Sequence, residues 1–167
     1  MVYMCLYVYS AAEDINDILS TELMLTMTYL KQHPKVYWIW NHRRWCLENV
    51  PDGPDEDPLV WKKQHWAIEL KTVEKMLEAD ARNCELTVIT ARHHPDNRSQ
   101  VHAWDYRRYV LASMPIKRSE QEELAYTKRK IEANFSNFSA WHQRSKVFAS
   151  IWENGLSDEA KDKDSGV

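Results

Sequence analysis

A chain of 167 residues that is 44% apolar, 28% charged and carries eight tryptophans can fill the core of one domain and is too apolar to be disordered along most of its length. Its net charge of −3 and pI near 6.2 exclude a general nucleic-acid binder, which needs an excess of Lys and Arg on one face. Only three glycines and six prolines, against abundant Leu, Glu, Lys, Arg and Ala, favour helices over a sandwich or barrel.

The opening "MVYMCLYVY" is apolar but too short to span a bilayer, and it lacks a basic start and a small-residue cleavage site. It reads as a buried end or an artefact of the gene model. No later apolar run reaches transmembrane length, which predicts a cytoplasmic protein. Cys5, Cys46 and Cys84 form no closely spaced set, as expected of reduced thiols that bind no metal.

From Ile15 the apolar positions Ile15, Leu19, Leu23, Met27 and Leu30 recur at helical spacing, and Pro34 marks the stop. A second helix is predicted from about Val36 to Val50, ended by "PDGPDEDP", a solvated acidic loop. A third follows from about Leu59, with Trp66, Leu70, Val73 and Leu77 on one face. Further on, "SEQE" at Ser119 to Glu122 is a capping box, and "FSNFSAWHQRSKVFASIW" opens the last helix. Residues 154–167 are polar and are expected to form a disordered tail.

Alignment on tryptophan exposes an internal repeat, which decides the fold before any motif does. "LKQHPKVYWIWNHRRWCL" and "IEANFSNFSAWHQRSKVF" share a register: Leu30 and Ile131 lie ten before Trp40 and Trp141, Arg43 and Arg144 three after, Leu47 and Phe148 seven after. A middle copy with Leu77, Trp104, Arg107 and Leu111 fits the frame once about seventeen residues, 85–101, are set aside as an insertion. The insertion is either a surface loop, which closure entropy tolerates, or a short retained intron translated in frame, since Cys-Glu-Leu can be encoded by a splice-donor-like GTGAGT. Each unit is then a helix, a turn and a second helix carrying W-x-x-R. Trp, Arg and Leu or Phe share one stripe of that second helix, with the Arg stacking on the Trp or bonding carbonyls of the neighbouring turn. Trp40, Arg43, Trp104, Arg107, Trp141 and Arg144 are therefore read as structural, and Trp38 and Trp45, off the stripe, as available for hairpin packing or a partner surface.

Tandem helical hairpins with W-x-x-R at the start of the second helix resemble the protein prenyltransferase α-subunit repeat. The strings "KVYWIWNHRR", "HAWDYRR" and "NFSNFSAWHQRS" are most similar to the Rab geranylgeranyltransferase (type II) α subunit, over about Ile18 to Phe148 without the insertion. The resemblance implies an all-α, tetratricopeptide-like superhelix of hairpins over residues 1–153, wrapped as a crescent around a β subunit. That partner would hold the catalytic zinc, the isoprenoid pocket and most of the peptide site. Zinc would generate a substrate thiolate that attacks C1 of geranylgeranyl diphosphate, and an escort protein would present the Rab GTPase. The implied site residues of this chain are Lys35 and Tyr37, five and three before Trp40, and His102, two before Trp104. Lys35 would stabilise the departing diphosphate. Without a partner, Lys35 reads as a solvated lysine at a helix start and Tyr37 as a ring packing in the hairpin. The family's α subunits are about twice this length, so the chain looks like a fragment whose open repeat ends expose apolar faces and lower its solubility.

Three other readings fit parts of the sequence. A non-catalytic helical-repeat scaffold would share the hairpins but has no need of the W-x-x-R register. The α subunit of farnesyltransferase or type I geranylgeranyltransferase would share the chemistry with a CaaX-tail substrate. A metal site on "ARHHPDNR", with His93, His94 and Asp96, is disfavoured, since adjacent histidines point to opposite faces of a strand and nothing fixes them in a loop. No glycine-rich phosphate loop, G-x-S-x-G or paired-cysteine motif is present, so the chain alone offers no complete active site.

Overall fold

A computed structural model describes residues 12–54, 56–90 and 98–164. The described residues are helical and contain no strand: α1 (Ala12–Gln32), α2 (Tyr37–Glu48), α3 (Val60–Thr90), α4 (Arg98–Ser113), α5 (Glu120–Ala133) and α6 (Phe138–Asp164). Successive helices pack in pairs, α1 on α2, α3 on α4 and α5 on α6, so the fold is the predicted series of helical hairpins. The chain forms two compact units, the first running through Lys117 with α1 to α4 and the second from Arg118 with α5 and α6.

In α1 the buried residues are Leu19, Leu23, Thr26 and Leu30, the stripe that helical periodicity requires of a half-buried helix. Thr26 satisfies its hydroxyl by donating to the Glu22 carbonyl at 2.7 Å. The α1 end is closed by His33 N–H donating to the Tyr29 carbonyl at 2.8 Å, and Pro34, which has no N–H, stops further winding. α2 starts without a side-chain cap at Val36. The turn is fixed instead by the Trp40 indole N–H, which donates to the Pro34 carbonyl at 2.9 Å, so one side chain both fills the core and orders the turn before it.

The acidic segment before α3 folds back on itself: Gly53 N–H donates to the Pro58 carbonyl at 2.8 Å, and Lys63 pairs with Asp57 at 2.9 Å. Only glycine fits at position 53, because an added Cβ would lie 2.7 Å from Val60 Cγ1 and 3.0 Å from the Asp57 carbonyl. α3 buries Trp66, Leu70, Val73 and Leu77 as the periodicity predicts. The ends of the segment read as an insertion are helical: Glu85 to Thr90 extend α3 and Arg98 to Val101 open α4, while 91–97 lie outside the described residues. α6 continues through Asn154 to Asp164, the stretch read from the sequence as a polar tail.

What joins the first two hairpins is a buried ion pair. Arg43, 2% exposed, donates from Nε to Glu69 Oε1 at 2.8 Å and from Nη2 to Oε2 at 2.5 Å, a fork-to-fork geometry. Its remaining nitrogen, Nη1, bonds the Leu23 carbonyl at 2.5 Å and Thr26 Oγ1 at 2.8 Å. The Tyr106 hydroxyl on α4 donates to the same Glu69 carboxylate at 2.7 Å, and the Tyr106 ring packs 4.8 Å from Trp40. Burial opposes the charge on Arg43, but the hydrogen bonds and negative charge of Glu69 outweigh it and hold the guanidinium above the ordinary arginine value. α3 is further tied to α1 where His65 Nε2 meets Asn16 Oδ1 at 2.9 Å, and burial holds this imidazole below its ordinary value.

Three outcomes follow in urea unfolding followed by circular dichroism. Glu69→Ala strands a buried guanidinium and should cost the first unit about 3–5 kcal/mol. Glu132→Ala, in a pair with both side chains more than 60% exposed, should stay within about 0.5 kcal/mol. In the second unit Ser119 Oγ accepts from Glu122 N–H and the Glu122 carboxylate accepts from Ser119 N–H, so Ser119→Ala should cost about 1 kcal/mol. Because the unfolded His65 takes a proton more readily than the folded one, its contribution is full above pH 6.5 and falls as pH drops through 6.5. His65→Gln, which keeps an amide donor, should flatten that part of the curve.

Candidate functional site

The turn between α1 and α2 carries the residues that the sequence singled out. With the Pro34 carbonyl held by Trp40, and with Val36 N–H donating to the His33 carbonyl at 3.1 Å, Lys35 is displayed at the surface and Tyr37 begins α2 with 53% exposure. The Tyr37 ring lies 6.3 Å from the imidazole of His102 on α4. Trp38, 77% exposed, meets Tyr37 edge to face at 6.3 Å. A phenol and an imidazole from two adjacent hairpins thus meet in the first unit, with the exposed lysine two residues before the phenol. Trp45 instead stacks on His42, at 6.0 Å.

These groups are hydrogen-bond donors and a cation, a set suited to holding an anion. Their exposure limits what they do in water, where a charge pair at about 4 Å is worth roughly 1 kcal/mol. Covered by a second surface, the same lysine would act several-fold more strongly. The described free thiol, Cys46, is buried, and burial together with the Glu22 charge pushes it up to about 12. Burial likewise pushes the phenols of Tyr106 and Tyr109 up, so both serve as hydrogen-bond donors. Among the described residues no group of three His, Cys, Asp or Glu could hold a metal ion, and His93, His94 and Asp96 lie outside those residues. Below the turn, a cleft of about 600 Å³ between the end of α1 and α3 has an apolar floor of Met27, Leu30, Met76 and Leu77, with Lys31 and Lys75 at its rim.

The last hairpin repeats the turn without its chemistry. Trp141 Nε1 donates to the Phe135 carbonyl at 2.9 Å, as Trp40 does to Pro34, yet Ser136 occupies the place of Lys35 and Phe138 that of Tyr37. Arg144 bonds the Leu124 carbonyl at 2.7 Å and Thr127 Oγ1 at 3.3 Å, the register of Arg43 with Leu23 and Thr26. In the middle copy Arg107, fully buried, bonds Glu74 from Nε at 3.1 Å and Nη2 at 2.8 Å and lies 5.7 Å from the Trp104 ring. Trp40 and Trp104 are buried, whereas Trp141 is 41% exposed while keeping the repeat's indole-to-turn hydrogen bond. The residues that the stripe did not reveal are Glu69 and Tyr106. A signal for the first exists: each hairpin's first helix carries a Glu-Leu dipeptide, at Glu22, Glu69 and Glu123.

Two segments, residues 19–50 and 120–151, match the family Protein prenyltransferase alpha subunit repeat; they contain the first and last W-x-x-R turns, and the middle copy lies between them. The chain is 40% identical over 137 residues to the geranylgeranyl transferase type-2 subunit alpha of Saccharomyces cerevisiae, covering 80% of this chain and 34% of that protein. It is 35% identical over 159 residues to the protein of the same name from Candida albicans, covering 86% and 36%, and 35% over 133 residues to that of Mus musculus, covering 80% and 18%. The chain thus spans about a third of the fungal relatives and under a fifth of the mouse one. No solved structure matches. With the helical hairpins, the repeated Trp-to-turn and Arg-to-carbonyl bonds and these matches, the first and last hairpins are protein prenyltransferase α-subunit repeats.

Proposed function

We propose that this chain supplies α-subunit hairpins to a heterodimeric Rab geranylgeranyltransferase acting in the cytoplasm. The observation that carries the reading is the approach of an exposed Tyr37 to His102, two residues along from the exposed Lys35, in a chain similar to proteins that bear the type-2 α name and whose described thiol is unreactive by burial. Such a face is half of a site, and a β subunit is the partner that completes it. Zinc, held by that β subunit and not by this chain, would supply the thiolate of a C-terminal Rab cysteine. The Rab GTPase arrives on an escort protein, and geranylgeranyl diphosphate is the donor. Lys35 then has one role: its ammonium pairs with negative charge growing on the leaving diphosphate, an interaction stronger in the transition state than in the ground state. Tyr37 orients the same anion through its hydroxyl, and His102 supports the Tyr37 ring and offers a second donor. Covering the turn by the partner removes water and strengthens each of these contacts.

The test is coexpression with a type-2 β subunit, purification through β, and transfer of geranylgeranyl to Rab with escort protein. Copurification with activity is expected, and Lys35→Ala should lower turnover by about tenfold to a hundredfold with KM little changed. Unaltered turnover in Lys35→Ala would remove that residue from the mechanism. Absence of any complex with β would overturn the α-subunit reading, and transfer to CaaX tails in place of Rab would reassign the substrate.

A further inference from the structure

For Tyr37 to orient an anion, its ring must hold a direction, yet among the described residues its hydroxyl has no hydrogen-bond partner and the side chain is 53% exposed. Ring contacts on two sides set that direction instead. Trp38 meets the Tyr37 ring edge to face, with centroids 6.3 Å apart and planes at 64°, and His102 meets it tilted, at 6.3 Å and 52°. Such arrangements are the favoured ones for aromatic rings, because the positive edge of one seeks the negative face of the other.

The two flanking residues occupy the same position of successive hairpins. Trp38 lies two before Trp40, and His102 two before Trp104. Both of those repeat tryptophans are buried, Trp40 with its indole N–H held by the Pro34 carbonyl and Trp104 beside the Arg107 guanidinium. Two firmly seated helix starts therefore carry the bracket. Trp38 itself is 77% exposed and contributes little to the core. In the last hairpin, where Phe138 replaces the phenol, Ser139 replaces the indole, and the Phe138 ring stacks on His142 at 6.5 Å. Indole and phenol are present together in one turn and absent together from the other.

We propose that Trp38 is a positioning residue of this site: with His102 it brackets the Tyr37 ring, so that the phenol meets the substrate with its hydroxyl already aimed. The inference rests on the functional reading above, in which Tyr37 orients the leaving diphosphate. A ring held beforehand loses less freedom when it engages the anion. The contribution of Trp38 therefore falls on turnover and passes through the Tyr37 hydroxyl.

Two measurements test this independently of one another. In the full chain alone, a fluorotyrosine in place of Tyr37 reports the ring by fluorine NMR. Trp38→Ala should narrow its line as the ring gains freedom, with helix content unchanged, and Trp38→Phe should keep the wild-type width. A line width indifferent to Trp38→Ala overturns the bracket. In complex with a type-2 β subunit, escort protein and Rab, Trp38→Ala should lower turnover by roughly threefold to tenfold with KM little changed. Trp38→Phe should restore most of that loss, and Trp38→Ala should do nothing further once Tyr37→Phe has removed the hydroxyl. A loss equally large in the Tyr37→Phe background, or one confined to KM or to recovery of the complex, overturns the positioning role. An inactive wild-type complex overturns the functional reading instead, and the fluorine line then decides whether Trp38 holds Tyr37.

Discussion

Everything in the first unit hangs on a charge that water does not reach. Arg43 is enclosed by α1, α2 and α3, and each of its three nitrogens has a partner: Nη1 closes its own hairpin through Leu23 and Thr26, and Nε and Nη2 join the next through Glu69. Burying a guanidinium is costly unless its hydrogen bonds are complete. The pair thus contributes less through net attraction than through exclusion: any register that misplaces Glu69 strands a charge, and only one stacking of the two hairpins avoids that. Tyr106, bonded to Glu69 and packed on Trp40, carries the constraint into α4.

The displayed turn is a consequence of that arrangement. Trp40 lies in the core because Arg43, one turn along α2, is anchored there, and from the core its indole N–H reaches the Pro34 carbonyl. A turn held from beneath displays its outer side chains at the surface, which is where Lys35 and Tyr37 stand. His102 joins them because α4 is held against α2 through Tyr106, four residues after it. The division is physical: tryptophan and arginine spend their polar atoms inward on structure, while the lysine and the phenol stand at the surface.

The last hairpin keeps the inner bonds of the repeat while its outer face stays exposed. Its internal bonds, Trp141 to Phe135 and Arg144 to Leu124 and Thr127, reproduce those of the first, so the hairpin is self-sufficient in backbone order. Its outer face keeps Trp141, Phe148 and Trp152 in water, because apolar burial in a stacked repeat belongs to the interface between units and not to a unit alone.

Residue spacing by itself determined most of the helices, the stop at Pro34, the start at the capping box and the three copies of W-x-x-R, because periodicity, proline and capping act within a few residues of chain, but it missed the helical stretches at 85–90, 98–101 and 154–164. The resemblance carried by those strings also named Lys35, Tyr37 and His102 before any geometry. Tertiary structure decided the rest. That Glu69 answers Arg43, that Tyr37 and His102 meet across two hairpins, and that Trp141 is exposed where Trp40 and Trp104 are buried depends on which element lies against which face. The Glu-Leu dipeptides stood in the sequence, but a carboxylate one position off an apolar stripe looks like any solvated glutamate until the opposite helix is in place.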